Sequence, residues 1–271
     1  SENVHAISLR NAQLAYRNSP GQEPDLYAGF EFEDANLTFA RNMPPIQDGA
    51  GHAALHGQRF VATADRGKVH APQGGQVDIT GTTFIVPDVR IKPAPAEVRL
   101  RAEGAITAAL SLLDQKPLNL MGKAGRPVDL ADGRVRAQGV LKMPLQKKLP
   151  PERVLFDVTA SLSDVYSNKL VPGRELRAPQ LALNATNKML QIRGNGSIGQ
   201  ARFHALFEDD LSKEDRGKSK VYADVALNQA FLDEFNIALP RGSVAGEGKG
   251  AFELALVQGQ APKFNLTSDL A

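Results

Sequence analysis

Apolar and polar residues alternate along almost the whole chain. Val154, Phe156, Val158, Ala160 and Leu162 fall on one side of the segment 154–163, and Leu155, Asp157, Thr159, Ser161 and Ser163 on the other. A period of two is that of a strand with one apolar face. Val98, Leu100 and Ala102 alternate in the same way with Arg99, Arg101 and Glu103, and Val135, Ala137, Gly139, Leu141 and Met143 with Arg134, Arg136, Gln138 and Lys142. Earlier in the chain, Ile7 and Leu9 lead into Leu14 and Tyr16. Phe30 and Phe32 lead into Leu37 and Phe39 across "EDAN", read as a turn, and Val77 and Ile79 follow the turn signal "QGG". Later come Leu181 and Leu183, Leu190 and Ile192, Phe203 and Phe207, Val221, Val225 and Leu227, then Phe252, Leu254 and Leu256, and last Phe264 and Leu266. Turn residues separate these segments, which number roughly fourteen to sixteen.

Two segments depart from the alternation. "GAITAALSLLDQKP" places Ile106, Ala109, Leu110 and Leu113 at helical spacing, with Pro117 helping to end the helix. "NQAFLDEFNIALP" places Phe231, Leu232 and Phe235 on one helix face, with Asn228 as the N-cap. A short pattern, Gly-x-Val-x-x-x-Gly, starts at Gly75, Gly133 and Gly242, with a degenerate copy at Lys188. Its period in the mid-fifties suggests a repeat of about four strands.

Two short helices cover little of so many half-apolar strands. A single sheet of about fifteen strands must curl, split or flatten. The expected fold is mostly β: a long, strongly curled antiparallel sheet forming a hydrophobic groove about 70 Å long, with residues 1–271 as one continuous segment. Alternation is under way at the first residues and still running at the last, so the chain is expected to be a piece of a longer one.

Composition narrows the chemistry. The absence of Cys removes thiol catalysis, disulfides and thiolate metal sites. A net charge of +2 with no dense Lys/Arg run gives no case for nucleic acid. Trp is absent and aromatics are 6% of the chain, which argues against a glycan-binding solenoid with aromatic platforms.

"GNGSIG" (Gly194, Gly196, Gly199) matches a dinucleotide fingerprint, but a strand-like segment follows where a phosphate-binding helix is required. "HAALH" sets His52 and His56 four apart with Ala53 where a zinc protease needs Glu. "FEDDLSKEDRGK" mixes both signs and reads as a solvated hairpin loop. No G-x-S-x-G elbow occurs. The expectation is no catalytic residue, no metal, no cofactor and no enzyme activity.

Residues 98–211 resemble the AsmA-like superfamily of Gram-negative envelopes, in its YhdP (TamB-related) branch. The resemblance is carried by "EVRLRAEGAITAALSLLDQKPLNLMGKAG", "DGRVRAQGVLKMPL", "VLFDVTASLSDVYSNKLVPGREL" and "LNATNKMLQIRGNGSIGQARFHALFEDD" in that order. It implies a periplasmic protein, anchored in the inner membrane by a segment outside this chain. Its β-groove would hold phospholipid acyl chains and conduct them between inner and outer membranes. The residues expected to line the groove are Val98, Leu100, Val135, Leu141, Met143, Val154, Phe156, Val158 and Leu162. Leu181, Leu183, Leu190, Ile192, Phe203, Phe207, Val221, Val225, Leu227, Phe252, Leu254 and Leu256 complete the set. The competing expectation is an envelope scaffold or outer-membrane protein assembly factor that receives client strands on its exposed edges.

Overall fold

The computed structural model describes residues 4–21, 25–38, 43–116, 118–146, 148–212, 217–235, 248–257, 260–261 and 263–268. Phe39, Pro117, Gly242 and Val244, which figure in the sequence patterns, lie outside the described residues. Among the described residues, fifteen strands form one large antiparallel sheet. They are β1 (Val4–Arg17), β2 (Asp25–Leu37), β3 (Ile46–His56), β4 (Arg59–His70), β5 (Gln76–Asp78), β6 (Thr83–Val86), β7 (Pro95–Ala105), β8 (Asp132–Pro144), β9 (Leu155–Ser167), β10 (Leu176–Thr186), β11 (Met189–Ile198), β12 (Ala201–Asp210), β13 (Lys218–Leu227), β14 (Gly248–Val257) and β15 (Lys263–Ser268). They pair in chain order, except that β5 and β6 share one place between β4 and β7. Helices are α1 (Ile106–Leu113), α2 (Leu120–Ala124) and α3 (Gln229–Glu234). The chain divides into two compact units, one of residues 1–128 and 135–158, the other of 129–134 and 159–271.

In the first unit, β1, β2 and β3 each carry a bulge on an Asn or Asp in the left-handed region: Asn11 (φ 50°), Asp34 (φ 51°) and Asp48 (φ 52°). These short polar side chains tolerate positive φ better than other non-glycine residues. Each bulge adds a residue to one strand and reverses the phase of its alternation. That is why Leu9 gives way to Leu14, and Phe32 to Ala35 and Leu37, with a change of parity. "EDAN" is therefore not a turn: it lies inside β2 and bends the strand without reversing it.

One core cluster of this unit is at one end of its strands, where Val69, Val77 and Ile79 pack on Ala108 of α1; Ala53, Ile85 and Val86 are buried farther along the sheet. The 71–75 turn closes onto the helix, and the buried Ser111 Oγ accepts the Gln73 N–H at 3.0 Å. The buried stripe of α1 is therefore Ile106, Ala108 and Ser111, while Leu113 stays 41% exposed. Of the expected stripe Ile106, Ala109, Leu110 and Leu113 only Ile106 is buried; the rest is corrected by this close approach, which admits the small side chains of Ala108 and Ser111. Ile79 turns under the helix and Gly81 (φ 83°) restarts the chain, which splits this rung into β5 and β6. Val77 and Gly81 thus do not share a strand face, contrary to the repeat reading. The copies on β8 and β11 are three places apart in the order and so run in opposite directions, which a stacked repeat does not allow. α2, five residues long, is too short to leave a period in the sequence; it buries Met121.

In the second unit, β10 to β15 form consecutive antiparallel ladders. The "GNGSIG" glycines belong to the β11–β12 hairpin, which turns at Gly199 (φ 54°). α3 forms where the sequence places it. Asn228 caps it, its Oδ1 accepting the Phe231 N–H at 3.1 Å. Phe231 and Leu232 are buried against Ala201 and Leu227. Asn228→Ala is expected to cost about 1 kcal/mol, the usual worth of an N-cap, read as a lowered denaturation midpoint.

Candidate functional site

The registers of the second unit sort its side chains onto two unlike faces. One row across the strands runs Leu183, Ile192, Phe207, Val221, Leu254, Phe264. The next runs Leu181, Gly194, Ala205, Ala223, Phe252, Leu266, and a third passes through Gly196, Phe203, Val225 and Gly250. The opposite face carries Arg193, Leu206, Tyr222, Glu253 and Asn265 in one row and Gln191, Glu208, Lys220, Ala255 and Lys263 in another, polar at most positions. At 4.8 Å between strands and 3.4 Å per residue along them, the apolar floor measures about 24 Å by about 14 Å. That footprint is roughly 300 Å², at the lower end of the range for the largest apolar patch on a typical monomer.

This face is not a closed core. The buried apolar residues described in the second unit gather at its turns and under α3: Ala131, Val165, Ala178, Ala201, Leu227, Phe231 and Leu232. Leu183, Ile192, Phe207, Val221 and Leu254 are only half-buried, and Phe264 is 74% exposed. Glycines flatten the floor. The Phe203 ring lies across Gly196, where a Cβ would come within 2.6 Å of it, and Leu181 lies across Gly194 at 2.7 Å. Large side chains thus fold along the sheet instead of standing off it.

Leu162 belongs to the same face. Gln180 and Asn195 are partners on the polar side, and Gln180 donates to Ser161 Oγ at 3.3 Å, so the neighbouring Leu162 points the other way. Leu190 and Leu256 share the parity of this face at one end of the strands and Leu227 at the other. Between Leu190 and Ser219 the row contains Asp209, an acid that alternation alone would have assigned an apolar neighbour; its carboxylate accepts the Ser219 hydroxyl at 2.9 Å.

The first unit has its own apolar face. Leu14, Ala28, Leu55, Phe60 and Val86 form one row, and Phe30, Ala53, Ala62, Phe84 and Val98 another. Arg10, Glu31, His52, Thr63, Thr83 and Arg99 form a polar row on the reverse. Glu103 and Arg136 bridge at 3.0 Å, which puts Leu100 and Val135 together on the opposite, apolar side. Val158 lies against Gly139, where a Cβ would meet its Cγ2 at 2.8 Å, so Phe156 and Val158 join that side. Leu141 and Met143 continue it, half-buried on either side of exposed Lys142. Val154 follows a single 3₁₀ turn, Pro151–Arg153, in extended backbone one residue before β9, half-buried like Phe156 while Leu155 between them is exposed. Pro150 and Pro151 impose that turn in place of a strand start.

No protein-family model, curated protein or solved structure matches this chain. Its chemistry is therefore read from its own residues. His52 and His56 are exposed on β3 and lie 3.2 Å from Asp65 and 3.4 Å from Asp25 respectively. Among the described residues no cluster of His, Asp and Glu is arranged to hold a metal. The described carboxylates with displaced pKa values, Asp78, Asp88, Glu97, Asp129, Glu175 and Asp210, are all lowered chiefly by hydrogen bonds, from Thr80, Arg90, Arg99, Lys169, Arg177 and Ser212 in turn; Tyr166 also donates to Glu175, and its own hydroxyl is raised in return. Such groups stay ionised at neutral pH and brace turns and strand starts. No described helix is long and apolar enough to cross a membrane.

The residues expected to line a groove thus share one face of the sheet within each unit. Sequence reading missed the small residues Gly194, Gly196, Ala205, Ala223 and Gly250, and also Phe264 and Leu266. Their signal was parity alone, which becomes legible once the register is known.

Proposed function

We propose that this chain is a lipid-conducting segment of an AsmA-like envelope protein of the YhdP (TamB-related) branch. Phospholipid acyl chains would lie on the apolar face of the sheet while headgroups stay in water. The observation that carries this reading is the floor of β10 to β15, apolar across all six strands, half-buried on β10 to β14 and exposed on β15, and backed by a mostly polar face. Covering apolar surface gains roughly 25 cal/mol per Å², and a tail can slide on such a floor because no directional bond holds it. In this reading the sheet curls into a groove, the protein sits in the periplasm, and passage is passive. Inner and outer membranes are reached through parts of the protein beyond this chain.

Native mass spectrometry of the purified chain tests it. Phospholipid is expected to co-purify with the protein and to leave when detergent competes for the face. The scaffold reading draws on β15, whose described residues are all exposed at the end of the strand order. It predicts trapped strand peptide in place of lipid. Protein free of lipid would overturn the proposal.

A further inference from the structure

We infer that α3 is an end-stop on the acyl-binding face of β10 to β15, and that Arg174 is the positioning residue that pins it there. This rests on the lipid reading above and names what bounds the site. Six residues are far fewer than the roughly dozen an isolated helix needs in water, so contacts set the position of α3. Phe231 and Leu232 sit on Ala201, Val225 and Leu227, which belong to the apolar face. Apolar side chains of the protein therefore occupy the end of the floor where an acyl chain would otherwise lie. The rows through Ala205 and Phe207 are left for the ligand.

The pin comes from the "LVPGREL" turn between β9 and β10. Arg174 donates to the Glu234 carboxylate and to the Glu234 carbonyl oxygen. Its guanidinium also lies over the Phe235 ring, 4.8 Å from the centroid. The Gln200 N–H donates to the same carboxylate at 3.2 Å. Arg174 and Glu234 are 22% and 18% exposed, unlike the other ion pairs described, which lie more open to water. A planar fork that bonds two oxygens and stacks on a ring is not replaced by Lys.

The test uses the full chain loaded from phosphatidylethanolamine vesicles whose lipid carries a diazirine in the acyl chain, followed by photolysis and residue mapping. Wild-type protein is expected to be labelled on the Phe207, Val221 and Leu254 row and not at Ala201 or Leu227. Arg174→Ala is expected to raise labelling at Ala201 and Leu227 several-fold, together with faster hydrogen exchange in α3. Arg174→Lys should fall between. The exchanged pair, Arg174→Glu with Glu234→Arg, should move labelling back toward wild type. Labelling of Leu227 in wild-type protein would overturn the end-stop, and this outcome needs no variant to fold. Unchanged α3 exchange in Arg174→Ala would overturn the pin. A silent Phe207 row in wild-type protein would overturn the lipid reading itself.

Discussion

Phe207→Asp is expected to cut co-purified phospholipid by on the order of 100-fold while leaving the chain folded. Phe207 pairs with Ile192 on one side and Val221 on the other, in the middle of the apolar floor. Were this floor the inside of a sandwich, a lone carboxylate there would be stranded away from water, at a cost of several kcal/mol or more. Phe207 is only half-buried, so an Asp carboxylate can still reach water. The loss of stability is then limited to the contacts of the ring, about 1–3 kcal/mol. A passing acyl chain faces a different balance, because it must displace the water around the carboxylate. An Asp in hydrocarbon costs about 2.5–3.5 kcal/mol, and each 1.4 kcal/mol is about tenfold in occupancy. Phe207→Leu keeps the surface apolar and should keep the lipid. Phe156→Asp carries the same test to β9 in the other unit. Native mass spectrometry beside a denaturant titration separates the two cases. Wholesale unfolding of Phe207→Asp would mean that the floor is core, and an undiminished lipid load would mean that tails do not cross it.

The sheet was legible because its dominant signal is local. Alternation in "VRLRAEG" or "VRAQGVLKM" needs no knowledge of neighbours, and fifteen strands fall within the number the pattern implied. The capped helix at Asn228 was legible for the same reason. What escaped was decided by partners distant in sequence. "EDAN" carries turn residues, and only pairing with β1 and β3 shows that the chain continues through it with a bulge at Asp34. The inward side of α1 was misjudged because hydrophobicity favoured Leu110 and Leu113. The choice was made by how closely the 71–75 turn approaches, which requires Ala108 and Ser111. The apolar face was legible strand by strand, yet its completion by Gly194, Gly196 and Gly250 follows from register. A glycine has no hydropathy signal, and its meaning comes from the large side chain lying across it.

Gly74→Ala is expected to destabilise the first unit severely. Gly74 has φ 82°, and a Cβ there would sit 2.4 Å from the Ala108 nitrogen and 2.8 Å from the Thr107 carbonyl carbon. Both are backbone atoms, so no rotamer change relieves the clash; the turn and α1 must separate. The left-handed backbone alone costs an L-residue about 1–2 kcal/mol. Separation would further loosen Ala108, which is fully buried on Val69, Val77 and Ile79, and would break the Gln73 to Ser111 hydrogen bond. The sum is on the order of 3 kcal/mol, within the range of severe single substitutions. Gly75→Ala is the control: its φ is 93°, yet nothing lies within 4 Å of the new methyl group, so only the backbone cost of about 1–2 kcal/mol applies. Denaturant midpoints give the two losses, and hydrogen exchange across Ile106–Leu113 shows whether α1 has left its seat. Equal losses for the two variants would mean that α1 is not held by this turn. A larger loss for Gly74→Ala, with exchange confined to α1, would mean that the helix is seated by steric fit at a glycine as much as by the apolar contacts beneath it.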